Sequence, residues 1–197
     1  MQHSPEFTSR GNVDVEGLFR TVGVLQEGHF VLTSGLHSPV YWEKFKLLQF
    51  PEHTGVLCAM IADHFRSRQP AVVVGPTTGG IILSFETARH LGVRGIFAEK
   101  EGNARALRRD FVIAPGENVL VVDDVLTTGK SVVETLDAVR RLGGNVVGVG
   151  VLVDRSQSLP EFGAELFSCL RAPAVAYPPD ACPLCAAGVP VKKPGSS

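Results

Sequence analysis

Val121-Val122-Asp123-Asp124-Val125-Leu126-Thr127-Thr128-Gly129-Lys130-Ser131 decides how this chain is read. The stretch leaves an apolar run at 118–122, passes two carboxylates, and closes on a hydroxyl-rich turn that opens a helical segment at about 130–142. A short continuous apolar run is how a strand reads when helices cover both of its faces. Three further runs share the character, at 71–74, 95–97 and 146–153, and a second helical segment lies at about 80–91. This alternation predicts an α/β protein on a parallel sheet with helices on both faces. Ligands of such sheets bind beyond the carboxyl ends of the strands, so the chemistry is sought where each run stops.

After the 118–122 run, Thr127, Thr128, Gly129, Lys130 and Ser131 offer three hydroxyls and successive backbone N–H groups at a helix start. The helix dipole favours an anion there, and the set suits a phosphate monoester. Asp123 and Asp124 stand just before it, with Val125 and Leu126 between. Two acids beside a phosphate need something else to bind. Ribose hydroxyls, which donate hydrogen bonds, or a hydrated Mg²⁺ would satisfy them. The pattern describes a ligand with phosphate at one end and a diol or metal at the other, a phosphoribosyl group. The plain alternative is an acidic strand end followed by a threonine helix cap. Gly129-Lys130-Ser131 does not extend to a nucleotide P-loop, because Asp124 stands where that loop needs its first glycine. After the 71–74 run comes Gly75-Pro76-Thr77-Thr78-Gly79-Gly80. It reads either as a second anion-approaching loop or as a tight strand-to-helix turn.

Composition narrows the classes. The 197 residues carry 19 Lys plus Arg against 20 Asp plus Glu, a formal net charge of −1. That balance argues against a nucleic-acid binder, which carries a basic excess. A hydrophobic fraction of 44% and a mean hydropathy of +0.15 exclude a mainly disordered chain. No stretch reaches the roughly 18 apolar residues of a membrane span, and none is expected. Residues 1–10 are polar and lack the apolar run of a signal peptide. The 4 cysteines are ordinary for a reducing compartment, so a cytoplasmic setting is expected. Residues 1–12 read as a loose arm. Asp14 is a plausible cap for a helix with Val15, Leu18, Phe19, Val22 and Leu25 on its apolar face. A second helix is predicted from Pro51, burying Leu57, Met60, Ile61 and Phe65, with strand-like pieces before it around Ser38-Pro39.

The strand, two acids and Thr/Gly/Ser loop together resemble the diphosphate-sugar signature of the type I phosphoribosyltransferases. Other segments resemble the orotate-specific members of that family. They are Glu27-Gly28-His29-Phe30-Val31-Leu32-Thr33-Ser34-Gly35-Leu36-His37-Ser38-Pro39, the Gly75 to Gly80 loop, Phe97-Ala98-Glu99-Lys100 and Val153-Asp154-Arg155. The tail Ala181-Cys182-Pro183-Leu184-Cys185 with Gly188-Val189-Pro190 does so too, which extends the resemblance over about 14–191. It implies a parallel-sheet phosphoribosyltransferase fold with a small N-terminal hood at about 13–50, and one domain over 13–197 that includes the tail. It implies transfer of a phosphoribosyl group from 5-phosphoribosyl 1-diphosphate to orotate in pyrimidine (UMP) biosynthesis. Mg²⁺ would be the cofactor, in a homodimer whose loop is shared between sites. A transferase for a purine or uracil, or a non-catalytic regulator of the same fold, is the alternative. The net charge and the lack of an appended DNA-binding segment count against the regulator.

Carried over, the resemblance has Asp123 and Asp124 hold the ribose hydroxyls and Thr127 to Ser131 cradle the 5′-phosphate, with Thr127 also near the base. Thr77, Thr78 and Gly79 would approach the diphosphate, and Lys100 would bind it in the neighbouring subunit's site. Arg155 would pair with the carboxylate of orotate, which a guanidinium meets with two parallel hydrogen bonds. Read without the resemblance, Arg155 is a surface ion pair with Asp154. Two departures stand out. Thr78 and Gly79 occupy positions where some members carry a lysine. The stretch expected as a mobile, closing loop reads Glu101-Gly102-Asn103-Ala104-Arg105-Ala106-Leu107-Arg108-Arg109, without the usual lysine, and Arg105 is its candidate substitute. Arg108 and Arg109 read equally as charges on a solvated hairpin strand. Tyr41 and Trp42 would wall the base or sit in the core, and Lys44 is a weaker site candidate. Cys182 and Cys185 form a lone CxxC, and a four-thiolate set with Cys58 and Cys169 is not required by their spacing. His29, His37 and His53 lack ligand spacing, so no protein-ligated metal is expected, and exchanging the two tail cysteines for serine is expected to change little.

Overall fold

The computed structural model describes residues 13–32, 34–158 and 161–193, and the arm expected at 1–12 lies outside them. Asp14 Oδ1 accepts a hydrogen bond from Gly17 N at 2.8 Å and so caps helix α1, Val15–Thr21. Leu25, expected on the face of that helix, instead opens strand β1, Leu25–Val31. Gly23 at φ 69° turns the chain between them, a conformation that costs glycine little. Strand β2, His37–Trp42, pairs antiparallel with β1, with an irregularity between Glu27 and Phe30. Helix α2, Phe45–Leu48, leads into α3, Pro51–Phe65. The predicted Leu57, Ile61 and Phe65 are buried on α3, and half-buried Met60 packs against them.

The rest builds the sheet. In chain order come β3 (Val72–Pro76), α4 (Gly79–Leu91), β4 (Arg94–Glu101), β5 (Ala104–Leu107), β6 (Asn118–Leu126), α5 (Lys130–Arg141), β7 (Asn145–Asp154) and β8 (Leu166–Arg171). The strand order is β5-β4-β3-β6-β7-β8, parallel except for β5. Alternate residues serve the two faces. Val73, Leu120 and Val122 pack with Leu57, Ile61 and Leu83 of α3 and α4. Val72, Val74, Val119 and Val121 pack with Val132, Leu136 and Val139 of α5. Both sides of each central strand are therefore apolar, which is why the runs read as continuous.

This topology places a crevice. β3 and β6 are neighbours, but the chain leaves β3 toward β4 and leaves β6 toward β7, in opposite directions. Their outgoing loops part, and the gap at such a switch point is where parallel sheets take ligands. The two loops are those the sequence singled out.

Three expectations change. The stretch after Lys100 folds as a hairpin rather than a long loop: β4 and β5 are joined by two residues, Gly102 and Asn103, with Lys100 opposite Arg105 and Glu101 opposite Ala104. Arg108 and Arg109 lie just past the end of β5 rather than on the hairpin strand, and pair from there with Glu101 and Glu99. The 118–122 strand runs on to Leu126, so Asp123, Asp124 and Val125 are strand residues. Beyond β8 the tail returns to the hood. Tyr177 and His37 exchange backbone hydrogen bonds of 2.8 Å, Lys192 N donates to His29 O and Val31 N donates to Lys192 O. A short helix, α6 (Pro183–Ala186), lies between these contacts. Among the described residues no helix is long and apolar enough to cross a membrane.

Candidate active site

Asp123 and Asp124 end the apolar part of β6 and are 5% and 3% exposed. Asp123 Oδ1 accepts from Asp124 N at 2.8 Å, and its Oδ2 accepts from Ser131 Oγ at 2.6 Å. Burial, and then the neighbouring Asp124 charge, push the Asp123 carboxyl up to about 6. Asp124 Oδ1 accepts from Val125 N at 2.7 Å. Lys44, from the hood, reaches across to Asp124, with Nζ 2.9 Å from Oδ1 and 2.8 Å from Oδ2. The weak candidate Lys44 therefore belongs to the acid pair as its counter-charge.

The two loops meet at these carboxylates. A β-carbon on Gly79 would lie 2.1 Å from Asp124 Oδ2, and one on Gly75 would lie 2.0 Å from the Gly80 carbonyl oxygen. Side chains are excluded at both in this geometry, which accounts for glycine at 75 and 79. The Thr77-Thr78 peptide is cis. Thr77 is held from the neighbouring strands, by its N–H to Ala98 O at 3.0 Å and by Arg105 Nη1, which donates to its Oγ1 at 3.2 Å. Arg105 thus points at the Gly75 to Gly80 loop from β5, and its Nε lies 3.6 Å from Glu134 of α5.

Thr127, Thr128 and Lys130 are exposed, and Gly129 takes φ 74° to start α5. These residues and Ser131 line a cavity of about 280 Å³ with Lys100, Arg105, Val125 and Glu134. Lys100 therefore borders the loop of its own chain. Thr127 and Thr128 also line a larger cleft of about 730 Å³, together with Arg155 and with Leu32 and Leu36 of the hood. One threonine pair joins a polar cavity at a helix start to a cleft with an arginine in it.

Arg155 is the cation of that cleft. Its Nε is buried without a hydrogen-bond partner, and burial lowers the pKa of its guanidinium. The guanidinium carbon sits 5.5 Å from the Trp42 ring centroid. The ion pair with Asp154 does not form: Asp154 Oδ2 takes Arg171 Nη1 at 2.9 Å, and its Oδ1 accepts from Ser156 N and Oγ. Trp42 packs against the core, edge-on to Phe19 at 5.7 Å, and does not line the cleft, while Tyr41 packs on Phe30.

Glu134 escaped the sequence reading, although it stands one helical turn beyond Lys130, whose Nζ lies 3.8 Å from it. The histidine and cysteine expectations also change. Cys58 and Cys169 lie in or against the core, their thiols bonded to Leu83 O and Leu57 O, with pKa values raised to about 12 by burial. They take no part with the tail cysteines. His29 and His37 instead sit together on β1 and β2, and Cys182 and Cys185 lie against them. Eight residues of hairpin, not a helical spacing, bring the two rings together. His53 lies apart, its ring edge-on to Phe50.

A family model described as "Phosphoribosyl transferase domain" matches residues 47–171. An orotate phosphoribosyltransferase of Pelotomaculum thermopropionicum is 49% identical over 93% of this chain and 96% of its own length. One from Desulforamulus reducens is 47% identical over the same shares of the two chains. The crystal structure of orotate phosphoribosyltransferase from Aeropyrum pernix superposes with a TM-score of 0.68 at 28% identity, covering 80% of this chain and 93% of that one.

Proposed function

The chain belongs to the orotate phosphoribosyltransferases, within the phosphoribosyltransferase family, and from that premise we propose how its own residues transfer a phosphoribosyl group from 5-phosphoribosyl 1-diphosphate to orotate, a step of pyrimidine (UMP) biosynthesis that yields orotidine 5′-phosphate and diphosphate. The observation that carries the assignment of roles is the joining of two cavities at Thr127 and Thr128, one at the start of α5, the other holding the unpartnered Arg155. A 5′-phosphate fits the first, a carboxylated base fits the second, and the ribose bridges them above Asp123 and Asp124.

Each part then has a task. The N–H groups and hydroxyls of Thr127 to Ser131 hold the phosphate at the helix start. The buried acids accept hydrogen bonds from the ribose hydroxyls and fix the sugar. Arg155 orients the base through its carboxylate, so that a ring nitrogen of ionised orotate faces the anomeric carbon. That nitrogen is already anionic, so no strong general base is needed. As the bond to diphosphate breaks, the sugar gains oxocarbenium character and negative charge grows on the leaving group. Thr77, Thr78, Gly79 and Arg105, with Lys100 supplied by the partner subunit, would neutralise that charge. The oxygen-rich donor set of the Asp pair suits Mg²⁺, which binds through one or two carboxylates plus substrate phosphate. When bound, the ion would offset charge on the diphosphate. With only Gly102 and Asn103 between β4 and β5, shielding from water falls to the hood residues Leu32 and Leu36 rather than to a long lid.

The remaining parts rest on the family resemblance. Residues 13–197 act as one domain, in the cytoplasm, as a homodimer in which exposed Lys100 reaches the partner's site. The discriminating experiment mixes the protein with orotate, 5-phosphoribosyl 1-diphosphate and Mg²⁺ and follows the loss of orotate absorbance. Turnover with orotate, and none with uracil, adenine or hypoxanthine, is expected. Equal turnover with an uncarboxylated base would overturn the assignment of Arg155.

A further inference from the structure

We propose that His29, His37, Cys182 and Cys185 form a structural Zn²⁺ site that staples the carboxyl-terminal tail to the hood. Their ligand atoms all lie within 4.8 Å of one another. His29 Nε2 is 2.8 Å from His37 Nδ1, 3.6 Å from Cys182 Sγ and 3.7 Å from Cys185 Sγ, and Cys185 Sγ is 3.2 Å from His37 Nδ1. A tetrahedral zinc with ordinary bond lengths spaces nitrogen and sulfur ligands by roughly 3.3–3.8 Å. The two His29–cysteine distances fall in that range and the Cys185–His37 distance lies just below it; the histidine pair is shorter, and every other separation is at most 4.8 Å, so small side-chain rotations complete the tetrahedron.

The supporting contacts point the same way. His29 Nδ1 lies 2.8 Å from Val189 O, a carbonyl that only accepts, so this nitrogen carries the proton and Nε2 turns its lone pair to the cluster. Metal-bound histidines are oriented by such a second hydrogen bond. Cys182 is the cap residue of α6 and Cys185 lies within it three residues on, and both sulfurs face His29. His29 is 2% and Cys182 3% exposed, so protein covers their side of the cluster, while Cys185 faces solvent. Two thiolates balance the charge of a divalent ion, and binding sends the two thiol protons to solvent. Two sulfurs and two imidazole nitrogens in a tetrahedron favour zinc over the hard cations that suit carboxylates. The set has four protein ligands and no open position, which marks a structural site. Its purpose is visible in the connections: the tail's backbone pairs with the hood through Tyr177 and Lys192, on either side of α6, and the ion would fix the segment between them.

The test uses the full chain, purified without chelators from zinc-supplemented cells, with elemental analysis per chain. About one zinc per chain is expected, falling below about a tenth in the Cys182→Ser/Cys185→Ser variant. Cobalt(II) added to stripped protein should give the ligand-field and thiolate charge-transfer bands of a tetrahedral site, and His37→Gln should alter them. Chelation should lower the wild-type melting temperature and leave that of the double-serine variant unchanged, which keeps the test readable if a variant folds poorly. Absence of zinc on isolation with no stoichiometric uptake of added Zn²⁺, a Cys182–Cys185 disulfide, or full zinc in the double variant would each overturn the proposal.

Discussion

Burial holds the Asp123 carboxyl at about 6, well above the ordinary aspartate value, because water is excluded and Asp124 stands beside it. Between about pH 4 and 6 the folded chain keeps a proton that the unfolded chain has released, so this group lowers stability as pH rises through that window. Asp123→Asn, which removes the charge, is therefore expected to be more stable than wild type by about 1–3 kcal/mol at pH 7 and to lose the advantage toward pH 4. Urea unfolding at both pH values reads this. A variant less stable than wild type at pH 7 would show that the ionised carboxylate gains more from Ser131 and Lys44 than it loses by burial. The acid pair was legible in the sequence, because two carboxylates at an apolar strand end have no structural reason to be there. Lys44 as their partner was less so, since it lies 80 residues away and meets Asp124 only through the docking of the hood.

Elements with a strong pattern were read to within a few residues: four of the five parallel strands, β3, β4, β6 and β7, and helices α4 and α5. β8 was missed, because its half-buried Leu166–Arg171 mixes serine and cysteine into a short run at the sheet's edge. The β4–β5 hairpin was legible only as one of two readings, because Gly102 and charged neighbours look alike in a tight turn and in a lid. Paired strands make a specific forecast. Amides of the hairpin bonded across to β4 should be protected from hydrogen exchange in the ligand-free protein, and complete exchange at the earliest times would restore the mobile loop. The tail's contacts were hidden for a different reason: His29 and His37 approach Cys182 and Cys185 only after hood and tail have folded together. That tail contributes Ala174 and Ala176 to the wall of the Arg155 cleft. Metal-stripped protein should show the KM for orotate raised several-fold with the KM for 5-phosphoribosyl 1-diphosphate within about twofold, since only the base cleft borrows from the tail. Equal rises would mean a general loosening.

At the scale of the molecule, the strand order matters most. It sets two loops apart at neighbouring strand ends and aims both at one crevice, with the hood closing the side where the base is to sit. If two chains share their sites through Lys100, inactive Lys100→Ala and Asp124→Asn proteins should regain activity when their subunits exchange. Half of the dimers would be mixed and one of their two sites intact, so roughly a quarter of all sites should work. No recovery, with exchange verified by mass tagging, would assign Lys100 to the cavity it borders in its own chain. The central claim is that Arg155 selects the substrate by its carboxylate, and the direct measurement is Arg155→Ala assayed with orotate and uracil at fixed 5-phosphoribosyl 1-diphosphate and Mg²⁺. Losing the cation opposite a largely buried carboxylate should lower kcat/KM for orotate by about a hundred- to several-thousand-fold. Binding of 5-phosphoribosyl 1-diphosphate should be nearly unchanged, and the preference over uracil should narrow. Full orotate activity in Arg155→Ala, or a wild type that uses uracil as readily as orotate, would contradict it.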